Sequence, residues 1–308
     1  METKYIGGPE GIAVSIVGVG CNAFGKRIDE ATTHAVIDAA LEAGINFFDT
    51  AETYGGGLSE EFIGSGLRGR RDQMILATKF GHSHSNVEGK KKGSPENVKA
   101  TAEKALKALK TDRIDLFQQH RPDHETPVSE TLGALEDLVH EGKILFYGCS
   151  YYTGLEMQEA IDEAARCSLE GFVTAQNSWN MLARDIEKDL IPVCERNNIG
   201  LLPYYPIAKG LLTGRYKRGD EPEAGSRMDG SNDIELADFD VLERLEIFAR
   251  DNGYDLLTLA ISWLAAQPCI ASVISGASKP EQLLANANAS RWKLNSSDME
   301  EVDQLLAT

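Results

Sequence analysis

The chain of 308 residues carries 48 acidic and 31 basic side chains, a net charge of -17, which opposes nonspecific nucleic-acid binding and requires a local basic pocket for any anionic ligand. Hydrophobic residues are 42% and charged residues 26%, the range of soluble globular chains, and no apolar run approaches the ~18 residues needed to span a membrane. Cys21, Cys149, Cys167, Cys194 and Cys269 show no CxxC spacing, which argues against a metal site or a disulfide framework; with no apolar signal core at the start, a cytoplasmic location is expected.

Short β-branched runs alternate with longer segments of helical period, the pattern of βα units around a parallel sheet. The first predicted strand is Val14–Val19, followed by a helix capped by Asp29, with Val36, Ile37, Ala40 and Leu41 on its inner stripe and Gly44 at its end. Asn46–Asp49 and Met74–Lys79 follow as strands, then a helix opened by Ser94-Pro95. Ile114–Gln119 precedes a helix with Thr126 as cap and Pro127 in its first turn. The remaining strands are Ile144–Cys149, Phe172–Gln176, Gly200–Tyr204 and Ala271–Ile274; Lys279-Pro280 opens the next helix, and Ser297 with Glu300 forms a capping-box pattern for a terminal one. Thr213–Asp233, the longest irregular stretch, reads as a functional lid, and the Lys90–Lys92 run as a solvated turn. Eight such units without an intervening linker predict one α/β domain over residues 1–308, a (β/α)8 TIM barrel with its chemistry at the C-terminal strand ends.

One competing signal is "GVGCNA", Gly18 to Ala23, a GxGxxG/A fingerprint after a strand. A dinucleotide fingerprint runs straight into its helix, whereas Phe24 to Arg27 delay helix onset to about Asp29. Asp49 also stands 31 residues beyond Gly18, against the usual ~20 for a ribose-binding acid.

Polar groups end three strands: Asp49 after "INFF", Lys79 after "MILAT" and His120 after "IDLFQQ"; Tyr54 follows on the first of these loops. In a barrel these would share one rim, and their chemistry suits carbonyl reduction: an ammonium beside a phenol stabilises phenolate, and a buried ammonium needs a carboxylate partner. Taken singly, each has a structural reading as a helix cap, a surface ring or a satisfied polar group. His82 and His84, without an acid or cysteine nearby, read as loop residues.

"GINFFDTAETYGGGLSEEFIG", "ILATKFG", "TDRIDLFQQHRPD", "LLPYYPIAKGLLTG" and "VISGASKPEQLLANANA" resemble, in order and over nearly the whole chain, the signature segments of the aldo-keto reductase superfamily. The resemblance implies a short N-terminal hairpin before the barrel, a lid loop after strand 7, NADP bound without a Rossmann domain, and a catalytic tetrad of Asp49, Tyr54, Lys79 and His120. Tyr54 would protonate a carbonyl oxygen, Lys79 tune the phenol, Asp49 hold Lys79, and His120 orient the carbonyl. Gln176 and Ser150 match carboxamide-binding positions, with Tyr151 replacing the usual asparagine, and Tyr204 matches the ring that stacks on nicotinamide. Pro206, Ile207 and Ala208 would pass beneath the pyrophosphate, Arg215 and Arg227 fold over it, and Gly276, Ser278, Lys279, Gln282 and Asn286 receive the adenosine end. A small carbonyl substrate would meet Asn22, Phe24, Arg121, Trp179, Asn180 and Trp292. This branch is also similar to potassium-channel β-subunits, cofactor-binding regulators in which an asparagine replaces the histidine kept here as His120.

Overall fold

The computed structural model describes residues 1–82, 88–222 and 228–307. Among them the chain opens with an antiparallel hairpin, β1 (Thr3–Ile6) and β2 (Ile12–Ser15). Then β3 (Val17–Gly20) is followed by α1 (Glu30–Glu42), β4 (Phe47–Asp49) by α2 (Leu58–Gly66), β5 (Ile75–Phe80) by α3 (Pro95–Leu109), and β6 (Ile114–Gln119) by α4 (Val128–His140). β7 (Ile144–Ser150) is followed by α5 (Gly154–Cys167), β8 (Thr174–Gln176) by α6 (Leu190–Arg196), and β9 (Gly200–Leu201), after a long excursion, by α7 (Phe239–Asp251) and α8 (Leu256–Ala265). β10 (Val273–Gly276) precedes α9 (Pro280–Asn288) and the terminal α10 (Ser296–Ala307).

The parallel strands run β10-β3-β4-β5-β6-β7-β8-β9. Backbone bonds from Leu201 N–H to Cys269 O (2.7 Å), Ala271 N–H to Leu201 O (2.9 Å) and Ile274 N–H to Pro203 O (3.0 Å) close the ring into a (β/α)8 barrel. β9 stops short of the expected Tyr204 because Pro203 has no N–H for the ladder; Tyr204 rejoins through isolated bridges to Ser178 and Ile274. No described helix is long and apolar enough to cross a membrane.

The predicted strand Val14–Val19 is two strands. At the break, the backbone N–H of Ser15 donates to the Asn46 side chain (2.7 Å), and the Ser15 carbonyl accepts from the Ser272 hydroxyl (2.8 Å), so side chains replace a continuous ladder. This turns β2 aside to pair with β1 across the N-terminal end of the barrel. Two caps also differ from expectation. Thr126 donates to Asp123 (2.7 Å) instead of capping α4, and α10 is capped by Asn295, which exchanges bonds with Asp298, rather than by Ser297 with Glu300.

The main apolar core lies between strands and helices. A second cluster fills the barrel floor: Ile6 and Val14 of the hairpin pack with Phe47, Ala77, Leu116, Leu202, Ala271 and Ile274. Burying each large side chain here contributes about 1.5–3 kcal/mol, and together they plug the lower end of the barrel.

Candidate active site

Alternate residues of a strand share a face. Phe47, Ala77 and Leu116 belong to the floor cluster, so Asp49, Lys79 and Gln118, two positions further on, point inward one layer nearer the mouth. The register pairs Asp49 with Ala77, and Lys79 with Gln118. The Lys79 ammonium donates to both Asp49 oxygens (2.8 and 2.7 Å) and to the Thr50 carbonyl (2.8 Å). Asp49 Oδ1 also accepts from the side-chain amides of Gln118 (3.0 Å) and Gln176 (2.9 Å). Lys79 is fully buried and Asp49 nearly so; such an ion pair persists only when its remaining donors and acceptors are matched, as they are here. Burial works against the ammonium, but Asp49 and Tyr54 outweigh it and hold Lys79 above the ordinary lysine range.

Tyr54 enters this layer from the loop after β4. Gly55, Gly56 and Gly57 all have positive φ, and a Cβ on Gly55 would meet the Phe24 carbonyl at 2.6 Å, so the glycine run lets this loop pack tightly against the loop that follows β3. The first turn of α2 pins it: Ser59 bonds Thr50 (2.8 Å), and the Thr78 hydroxyl donates to Glu60 (2.6 Å). Lys79 Nζ lies 5.1 Å from the Tyr54 ring centre. Burial raises the phenol to about 12, and Lys79 only partly offsets it; the expected net lowering is corrected, because desolvation of the phenolate exceeds the ammonium's attraction.

His120 continues the parity of Gln118 one layer higher, edge-on to Tyr54 at 6.1 Å between ring centres. Burial chiefly depresses its pKa, so the ring is neutral at pH 7. A Glu52 oxygen lies 3.9 Å from its Nδ1, and the His82 ring packs against it at 4.9 Å. The reading of His82 as a bare loop residue is therefore corrected: its backbone N–H also reaches Glu52 (3.4 Å). His84 lies outside the described residues.

A cavity of about 640 Å³ runs from Asp49, Tyr54 and His120 past Gln176, Tyr204, Pro206 and Ile207 to Gly276, Ser278, Lys279, Gln282 and Asn286. Asn22 and Arg215 also line it. Tyr205 and Lys209, which line it, and Ala208 between them have positive φ, the kind of local strain, about 1–3 kcal/mol per residue, that clusters at ligand sites. Lys209 pairs with Asp233 (2.5 Å), while Arg215 lies over the Tyr216 ring and bonds its hydroxyl. A cavity lined by the cations Arg27, Lys209, Arg215 and Lys279, with the hydroxyl and amide groups of Ser278, Gln282 and Asn286 at one end, suits an anionic dinucleotide.

Other expected positions fall elsewhere. Phe24 has no exposure and packs on Phe48; Trp179 is buried, bonds Glu187 (2.9 Å) and meets Trp263 edge-on; Asn180 spends its amide on the Tyr205 carbonyl (2.9 Å). Trp292 stacks on Tyr254 at 4.4 Å. These four are interior supports, not cavity walls. Ser150 lies behind Gln176, donating to its backbone carbonyl (2.8 Å), Ala208 is set back from the cavity lining, and Arg121 stacks on Tyr151, which lines the cavity. Arg227 lies outside the described residues. The sequence reading missed Gln118, which parity with His120 could have revealed, together with Glu52 and Lys209; Tyr151, expected as a departure at a carboxamide position, lines the cavity.

A barrel whose mouth joins a buried lysine–aspartate pair, a phenol and an imidazole to a dinucleotide-shaped trough is that of an oxidoreductase. The chain belongs to the aldo/keto reductase family, whose sequence model matches residues 16–307, a family that uses nicotinamide cofactors. It is 33% identical over 303 residues to a probable voltage-gated potassium channel subunit beta of Oryza sativa subsp. japonica, covering 94% of this chain and 91% of that protein. It is 32% identical over 307 residues to the aldo-keto reductase YhdN of Bacillus subtilis (strain 168), covering 96% and 91%. The solved aldo-keto reductase AKR11C1 from Bacillus halodurans, in its holo form, superposes with a TM-score of 0.81 at 30% identity, covering 99% of this chain and 96% of that one.

Proposed function

We propose that the chain is an NADP-dependent carbonyl reductase of the cytoplasm that converts small aldehydes or ketones to alcohols. The observation that carries this reading is that buried Lys79, locked by Asp49, stands beside Tyr54 where Asp49 and Tyr54 line one end of the trough. Gln176, Tyr204, Pro206 and Ile207 would hold the nicotinamide half, with Ser150 behind Gln176, and Ser278, Gln282 and Asn286 the adenosine half. When bound, the cofactor supplies hydride to the carbonyl carbon. Tyr54, protonated at neutral pH, donates its hydroxyl proton to the developing alkoxide, a stronger base than phenolate. Lys79 stabilises the phenolate left behind, Asp49 keeps Lys79 charged and aimed, and neutral His120 orients the carbonyl oxygen.

A second reading, a cofactor-binding regulatory subunit with little turnover, is favoured by the rice relative and by another of the same name from Arabidopsis thaliana, 34% identical over 304 residues. Histidine at position 120 supports turnover over that reading. Following NADPH absorbance against aromatic aldehydes, aliphatic ketones, dicarbonyls and aldoses separates the two: the first reading expects sustained consumption with at least one class, the second none beyond a single equivalent.

A further inference from the structure

Arg121 immediately follows His120, and Tyr151 follows Ser150. β6 and β7 pair with Gln119 opposite Cys149, so continuing that register sets Arg121 across from Tyr151. The guanidinium carbon lies 3.4 Å from the Tyr151 ring centre, and that ring also meets Tyr204 at 5.4 Å between ring centres. Tyr151 adopts φ +64 to reach this place, a conformation that a side chain bearing Cβ adopts at a cost of about 1–2 kcal/mol, and its backbone N–H is tied to the Gln176 carbonyl (3.1 Å). The ring forms part of the cavity wall beside Tyr54 and His120.

Stacking uses the face of a guanidinium, whereas its five N–H donors lie in its own plane and are not consumed by the contact. Among the described residues no carboxylate pairs with Arg121, although the chain holds 48 acids and 31 bases. Ring position also separates it from the trough cations. β6 stands four strands from β10 in either direction round the barrel, so Arg121, just past the end of β6 and stacked on the cavity-lining Tyr151, stands across the mouth from Ser278 and Lys279.

We propose that Arg121, held against the Tyr151 ring, anchors an anionic group of the substrate, so that the preferred carbonyl compounds carry a carboxylate or a phosphate monoester away from the reacting carbon. This rests on the carbonyl-reductase reading above. The planar donor fork matches either anion through paired, charge-assisted hydrogen bonds.

The test compares kcat and KM for 4-carboxybenzaldehyde against its methyl ester, and for glyceraldehyde 3-phosphate against glyceraldehyde, in the wild type, Arg121→Gln and Arg121→Lys. The wild type should favour at least one anion over its neutral partner by about tenfold or more in kcat/KM; which pair shows it tells carboxylate from phosphate. Arg121→Gln should abolish that preference mainly through KM, Arg121→Lys should retain part of it, and the preference should shrink with added salt. No preference in either pair, or equal losses on charged and neutral substrates in Arg121→Gln, would overturn the proposal. Calorimetric binding of benzoate against benzamide, and of phenyl phosphate against phenol, decides the matter even without turnover. Anion binding that Arg121→Gln removes sustains the anchor, and equal binding by wild type and variant ends it.

Discussion

Both carboxylate oxygens of Asp49 accept from the Lys79 ammonium, at 2.8 and 2.7 Å, in the interior of the barrel. Removing one partner strands the other charge. Lys79→Met should therefore destabilise the fold by about 3–5 kcal/mol, while a Lys79→Met, Asp49→Asn double variant, with both charges gone, should lose less. Urea unfolding of the two variants checks this; a single variant as stable as the wild type would mean that the pair does not carry the burial cost assigned to it.

A second buried carboxyl predicts a pH effect. Burial raises Glu60 from 4.5 to about 7, so between those values the folded protein holds a proton that the unfolded chain has lost. The stabilisation is complete below pH 4.5 and declines as pH rises through about 7. Glu60→Gln keeps an acceptor for Thr78 and removes the titration. Its melting temperature relative to wild type should rise from pH 5 to pH 8, equivalent to roughly 2–3 kcal/mol. A difference that stays flat across that range would refute the assignment.

The excursion between β9 and α7 contributes Arg215 to the trough, and Asp233 at its far side holds Lys209. Closure over a bound cofactor should slow backbone exchange in residues 213–222 and 228–233, and Asp233→Asn should speed cofactor release. Hydrogen exchange with and without NADPH is the measurement. Identical exchange in both states would count against a lid.

Cofactor choice depends on the end of the trough. The backbone N–H and hydroxyl of Ser278 both donate to the Gln282 side chain (2.9 and 3.0 Å), leaving the Gln282 amide nitrogen, exposed Lys279 and the α9 N-terminus as donors. A 2′-phosphate held this way should favour NADPH over NADH by about ten- to a hundredfold, roughly 1–3 kcal/mol, and less at high salt. Fluorescence titration of both cofactors at low and high salt decides it; tighter NADH binding would reverse the assignment.

The barrel was legible in the sequence because strands covered on both faces read as apolar runs, and Asp49, Lys79 and His120 stood out by ending them. Period-two parity carries the interior further: with His120 in the mouth, Gln118 must face the same way, a step available from sequence but overlooked. What sequence hid depends on long-range geometry. Phe24 and Trp179 resemble pocket aromatics locally, yet Phe48 and Trp263 claim them for the core. The break at Ser15 comes from Asn46 and Ser272, 31 and 257 residues away. Nothing local announces the left-handed Tyr205, Ala208 and Lys209, since only closure of the trough demands them.

Tyr54 as proton donor is the central claim, and the most direct measurement is stopped-flow hydride transfer from NADPH to a verified aldehyde in the wild type and Tyr54→Phe. The variant lacks one hydroxyl at a ring packed beside Lys79 and His120, so the fold and cofactor affinity should be kept while the transfer rate falls by about 10²–10⁴. A transfer rate equal to the wild type's, with cofactor binding intact, would contradict the account.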